Sequence, residues 1–122
     1  MSEVVRETFP RQARLLNAVD YQPVFKNNIR FGDSNITLLV SKKNGVRARL
    51  GFAIAKKQIK RAIDRNRLKR VFRQNFRLRQ TFLPKRDIVV LVRNQILSLS
   101  NQQINELQEK NWTAVIKQCA KP

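Results

Sequence analysis

The residues best suited to chemistry lie between positions 61 and 77: Arg61, Arg65, Asn66, Arg67, Lys69, Arg70, Arg73 and Arg77. Asn66, Lys69, Arg70, Arg73 and Arg77 recur at i, i+3, i+4, i+7 and i+11, a spacing that aligns side chains along one face of a helix. A guanidinium fork grips a phosphate through paired hydrogen bonds and stacks on bases, whereas lysine acts as a point charge. Asn66 adds a group able to bond a base edge, a 2′-hydroxyl or a phosphate. This is chemistry for holding a phosphate chain. A merely solvated cationic face is the competing reading, but such faces normally carry balancing carboxylates four residues away. This stripe has none.

A helix must present the stripe, and the spacing predicts one from about Ala62 to Phe82, ending before Pro84. Leu68, Val71, Phe72 and Phe76 share its other face and must lie on a sheet. At roughly 30 Å such a helix can follow several successive phosphates. Before it, Ile36–Ser41 alternates as a strand, Asn44-Gly45 within Lys42–Arg47 signals a hairpin turn, and Arg49–Lys56 reads as the partner strand. Leu50, Phe52 and Ile54 face one way, and the small Gly51, Ala53 and Ala55 face the other, where something packs closely. After the helix, Arg86–Arg93 is a strand whose centre, from Ile88 to Val92, is apolar throughout, which suits coverage on both faces.

The ends are simpler. Residues 1–16 read as an irregular basic segment, and Asn27–Ser34 as a loop with Gly32 and Asp33 as turn residues. A short helix lies within 18–26. Asp20 is preferred over Asn17 as its cap, because Pro23 then falls in the first turn. A last helix spans Asn101–Cys119, opened by a Ser100/Gln103 capping box and buried along Ile104, Leu107, Trp112, Val115 and Cys119. The order α-β-β-α-β-α implies one α+β domain over residues 1–122, a two-layer α/β sandwich with a mixed sheet.

Composition agrees with the stripe. The 122 residues hold 26 Lys and Arg against eight acids, a net charge of +18, and half of the basic residues fall within 56–86. A charge this large repels itself in a compact chain and calls for a polyanionic partner, of which nucleic acid is the natural one. A membrane partner would need a long apolar segment, yet the longest run is Ile88–Val92. Neither a secretory signal nor an intrachain disulfide is expected, since Cys119 is the only cysteine, and a reducing cytoplasm fits.

Catalysis by the protein itself is not expected. There is no His, the thiol of Cys119 sits on a core stripe, and no Gly-rich phosphate loop is present. The eight acids are scattered among basic neighbours, with no pair spaced to hold two ions.

Ala55-Lys56-Lys57, then Arg61-Ala62, then Arg65-Asn66-Arg67-Leu68-Lys69-Arg70 with Arg73 and Phe76 closely resembles the Arg-Asn-Arg signature of the bacterial ribonuclease P protein family. Phe9-Pro10 and Arg14-Leu15 resemble its N-terminal segment, and the later strands and closing helix fall in its order, so the likeness covers nearly the whole chain. The resemblance implies a ribosomal-protein-like fold with a left-handed βαβ crossover, against the usual handedness. It implies that Lys56, Lys57, Arg61, Arg65, Asn66, Arg67, Lys69, Arg70, Arg73 and Arg77 contact the catalytic RNA subunit. It also implies a cleft between the first helix and the sheet that takes the 5′ leader of precursor tRNA, matched here by Tyr21 and Phe25. Aromatic rings stack on unpaired bases without demanding a sequence. Core packing is the competing role for both rings, weighing more on Phe25. Tyr21 stands where the family often has Phe, and Pro23 between the two rings is unusual. The implied cofactor is Mg²⁺, held mainly by the RNA subunit, which performs the cleavage and leaves a 5′-phosphate on the tRNA.

Three other classes would share the charge. A ribosomal protein differs only by the motif. A DNA-binding regulator needs a helix reading base edges and usually a symmetric dimer, so DNA is not the expected partner. An autonomous nuclease would cleave RNA without any other component.

Overall fold

The structure, a computed structural model, describes residues 11–33 and 35–119. The first ten residues, including Phe9-Pro10, lie outside the described residues. Elements run α1 (Ala18–Lys26), β1 (Asn28–Gly32), β2 (Ile36–Ser41), β3 (Arg49–Phe52), α2 (Ala62–Arg79), β4 (Asp87–Val92) and α3 (Asn101–Cys119), with 3₁₀ turns at Arg11–Ala13 and Asn94–Ser98. The class is the expected α+β. The order gains a strand, because β1 occupies part of the stretch read as a loop.

The four strands lie in the order β1-β2-β4-β3. β1 pairs antiparallel with β2, β2 antiparallel with β4, and β3 parallel with β4 across the α2 crossover. The expected hairpin between β2 and β3 is therefore corrected: β4 lies between them. A strand apolar at every position gains most from neighbours on both edges and cover on both faces, and the centre of the sheet supplies both. Asn44-Gly45 does not close a hairpin but meets the chain entering β4, with the Gly45 amide donating to Lys85 at 2.6 Å and Arg86 Nε donating to the Asn44 side chain at 3.3 Å.

β1 is an edge strand of mixed burial, and among its residues Phe31 packs on the main core. It ends at Gly32, whose φ of 103° favours glycine, and where a Cβ would come within 2.1 Å of the Ile36 carbonyl oxygen. The Asp33 carboxylate then accepts from the amides of Asn35 and Ile36, closing the turn into β2.

Each face of the sheet has its own cover. Ile36, Leu38, Val40, Leu50, Ile88 and Val90 pack beneath α2 (Leu68, Val71, Phe72, Phe76) and α3 (Ile104, Trp112, Val115). On the other face Leu39 and Val89 meet Val24 of α1 and Leu15. The two-layer expectation is thus extended, because α1 forms a partial third layer. The segment read as irregular through residue 16 is also tied down. Arg14 bridges Leu50 in parallel fashion, the Leu15 amide donates to the Leu50 carbonyl at 3.0 Å, and Ala13 is fully buried.

Helix ends follow local chemistry. α3 opens as expected: Gln103 Oε1 accepts from the Ser100 amide at 2.8 Å, and Ser100 Oγ accepts from the Gln103 amide at 3.1 Å. α2 stops at Arg79, short of the expected Phe82, with Gln80 as its C-cap. α1 corrects the choice of cap: Asn17, not Asp20, begins it. Asn17 Oδ1 accepts from the Asp20 amide at 3.3 Å while the Asp20 carboxylate accepts from the Leu16 amide at 2.9 Å. That reciprocal pair offsets the hydrogen bond that Pro23 removes inside the helix.

Candidate nucleic-acid interface

α2 is anchored by Leu68, Phe72 and Phe76, all fully buried, so its other side is turned outward. Asn66, Arg70 and Arg73 are exposed there, and Lys69 and Arg77 are half-buried. The side chains of Asn66, Lys69, Arg70 and Arg77 make no hydrogen bond or ion pair among the described residues. Among the described residues no acid pairs with the stripe: the described ion pairs join Arg49 to Asp20 and Asp87, and Arg79, off the stripe, to Glu109. Lys56, Lys57 and Arg61 are exposed on the turn and approach leading into α2, adjoining its N-terminal end.

Two expected contacts are partly committed elsewhere. Arg65 donates to the backbone carbonyls of Ile59 and Lys60 at 2.8 and 2.9 Å, fastening the approach to the helix. Arg67 donates to the Asn101 side chain at 2.6 Å and leans toward the start of α3. Arg73 lies over the Phe52 ring, 5.5 Å from its centroid. Partial burial, and after it the charge of Arg14, lower the Arg73 pKa from the ordinary arginine value. Arg77 Nε is buried without a hydrogen-bond partner among the described residues.

The two rings exchange their expected standing. Tyr21 is half-buried against β3, and Phe25 is 47% exposed. They stack with centroids 6.4 Å apart and planes at 22°. The Tyr21 hydroxyl accepts from the Phe52 amide at 3.0 Å and donates to the Leu15 carbonyl at 3.5 Å, so it caps the free edge of β3. The small residues on that side are explained too: a Cβ on Gly51 would lie 2.7 Å from the Tyr21 hydroxyl and 2.8 Å from Leu15. Tyr21→Phe is expected to cost about 0.5–1.5 kcal/mol of stability, read by denaturant unfolding. An unchanged midpoint would show that the hydroxyl is not holding the edge.

Sequence reasoning expected a cleft between the first helix and the sheet but missed the sheet residues that line a groove on that face. A groove of about 220 Å³ there is lined by Arg30, Thr37, Ala53, Leu91 and Arg93, among others, and neither aromatic ring lines it. Arg30 was hidden because its strand reads as a loop. The polar/apolar alternation of Asn28–Gly32 was the available signal. Tyr21 instead lines a second groove with Lys69 and Arg73. At the start of β3, Arg49 clasps Asp87 through two 2.7 Å bonds, and that hydrogen-bonded carboxylate raises the Arg49 pKa.

No helix among the described residues is long and apolar enough to cross a membrane. The fold is shared with solved ribonuclease P proteins. That of Staphylococcus aureus matches with a TM-score of 0.75 at 24% identity, over 84% of this chain and 94% of that one. That of Thermotoga maritima matches with a TM-score of 0.72 at 28% identity, over 84% and 96%. The model of the Ribonuclease P family matches residues 9–116, which is most of the chain and includes both the α2 stripe and Tyr21. An outward cationic helix on this sheet, with that match over it, places the chain in the ribonuclease P protein family.

Proposed function

We propose that this chain is the protein subunit of a ribonuclease P ribonucleoprotein acting in the cytoplasm. It binds the catalytic RNA subunit through the α2 face and the 5′ leader of precursor tRNA through the α1 side of the sheet. The observation that carries this is a cationic helix face with no carboxylate paired to it among the described residues, on a helix fixed by its buried opposite side. Such a face lowers the repulsion between two large polyanions and tracks phosphates without reading bases. Phe25 offers an exposed ring for base stacking, with Tyr21 fixed behind it.

In this reading Mg²⁺ is held by the RNA subunit and supplies the hydrolytic chemistry there. The protein's own residues bind and orient. Arg65 stiffens the entry to α2, and Lys56, Lys57, Arg61, Asn66, Arg67, Lys69, Arg70, Arg73 and Arg77 form the RNA-subunit surface. Purified protein added to a minimal ribonuclease P RNA at low Mg²⁺ is expected to stimulate removal of the leader. Absence of stimulation, or cleavage by the protein alone, would contradict the assignment.

A further inference from the structure

The flank of α2 beside the cationic stripe is fastened to α3 by a row of polar bonds. Arg67 Nη1 donates to Asn101 Oδ1 at 2.6 Å, and Asn75 Nδ2 donates to Asn105 Oδ1 at 3.4 Å and to Glu109 Oε2 at 3.0 Å. Arg79 pairs with the other oxygen of the same Glu109 carboxylate. On α3 the acceptors stand at i, i+4 and i+8, one line along a helix face. The rungs come in the same order on both helices, and from Arg67 to Arg79 they follow α2 for about 18 Å. Beneath them Leu68, Phe72 and Phe76 are fully buried. Apolar burial is non-directional, so it seats α2 on the sheet but sets its rotation about its own axis only loosely. Hydrogen bonds are directional and set that rotation. With side chains reaching about 5–6 Å from the axis, a roll of about 20° moves their tips by about 2 Å, enough to undo a hydrogen bond to a phosphate.

We propose that Asn101 and Glu109 of α3 are positioning residues for the RNA surface of α2, acting by fixing the roll of that helix. The proposal rests on the RNA-binding reading and deepens it: the direction of the cationic face is set from a second helix, by one neutral and one acidic side chain. Asn101 holds Arg67 through Nη1 alone, and the other N–H groups of Arg67 make no described bond, so they stay available to a phosphate. Glu109, shared by Asn75 and Arg79, fixes the C-terminal half of the helix, from which Arg73 and Arg77 project. This reverses what charge alone expects of Glu109. Removing an acid from a chain of net charge +18 should strengthen RNA binding, whereas removing the group that aims α2 weakens it.

Asn101→Ala and Glu109→Ala, made in the full-length chain, are titrated with the ribonuclease P RNA over a series of salt concentrations. Alanine keeps helix propensity at both positions, and circular dichroism fixes a temperature at which both variants are folded. Each is expected to bind about fourfold more weakly at 0.15 M salt and to lose about 0.7–0.9 of the salt slope, the worth of one phosphate contact. The slope counts neutralised phosphates, so neutral Asn101 can change it only through the cations it places. In an Arg67→Gln background, Asn101→Ala should have no further effect on affinity. An unchanged slope in either variant, tighter binding by Glu109→Ala, or a full second loss in the Arg67→Gln background would overturn the proposal. A second arm records amide NMR spectra of the free protein. Resonances from residues 66 to 77 are expected to move in both variants, and shifts confined to the immediate neighbours of the substituted residue would contradict the roll. This arm involves no RNA, so its failure leaves the ribonuclease P assignment standing, and a failed cleavage assay leaves the spectra standing.

Discussion

Trp112→Ala is expected to destabilise the protein by about 3–5 kcal/mol, a large share of what a domain of this size has to lose. Trp112 is fully buried on α3 and meets Phe76 of α2 with ring centroids 6.0 Å apart, tilted by 59°. Its removal opens a cavity at the contact that holds the two helices together over the sheet. The surrounding helices cannot collapse fully into that space, because the same interface carries polar bonds: Asn75 donates to Asn105 at 3.4 Å and to Glu109 at 3.0 Å. Urea unfolding checks the value, and a loss under 1 kcal/mol would mean that the ring is not the keystone of this contact. Because Phe76 sits opposite the cationic stripe on α2, the variant should also bind RNA with a more variable geometry, visible as broadened amide resonances along α2.

Replacing Lys69, Arg70, Arg73 and Arg77 together by glutamine is expected to weaken binding of the ribonuclease P RNA by on the order of a hundredfold at 0.15 M salt. Each phosphate contact contributes about 0.7–0.9 to the slope of log affinity against log salt, or roughly 0.6 log unit or more at that ionic strength. Glutamine keeps helix propensity, and none of the four takes part in a described ion pair. The fold should therefore survive, which circular dichroism would verify. Arg65 is a poorer probe than its place in the signature suggests. Alanine there also releases the carbonyls of Ile59 and Lys60, so a loss of affinity would mix contact with local order. Arg70, exposed and without a described partner, is the clean single-site test.

What could be read from the residues was what local chemistry decides. The period of α2, the Ser100/Gln103 box, the burial of Trp112 and the double cover of Ile88–Val92 depend on neighbours within a few positions or on a run of one residue type. What could not be read was long-range. Asn44-Gly45 carries a hairpin signature, yet β4 inserts between β2 and β3, because pairing partners are chosen by the whole sheet and not by the turn. β1 was lost because an edge strand needs apolar residues on one side only. Its Arg30 and Asn28 therefore read as loop.

The candidate site divides in the same way. Which residues face outward on α2 was legible from spacing for Asn66, Arg70 and Arg73, whereas Lys69 and Arg77 are half-buried. Which of them are already bonded was not, since Arg65 turns back to the approach loop and Arg67 crosses to Asn101, neither of which shares the helix period. The aromatic pair shows the same limit. Both rings lie on one helix face, but only the position of Gly51 beneath Tyr21 explains why that ring is packed and hydrogen-bonded while Phe25 stays open. The asparagine cap of α1 was misjudged because the cost of Pro23 was visible and the Asp20 bond to Leu16 was not.

The most direct measurement compares salt slopes for binding the ribonuclease P RNA in two variants that lose the same number of charges. One carries glutamine at Lys69, Arg70, Arg73 and Arg77, and the other at the exposed Lys26, Lys42, Lys110 and Lys117. The slope is expected to fall by about three units in the first and to stay near the wild-type value in the second. Equal losses in both would mean that net charge binds the RNA and that the α2 face has no special part in it.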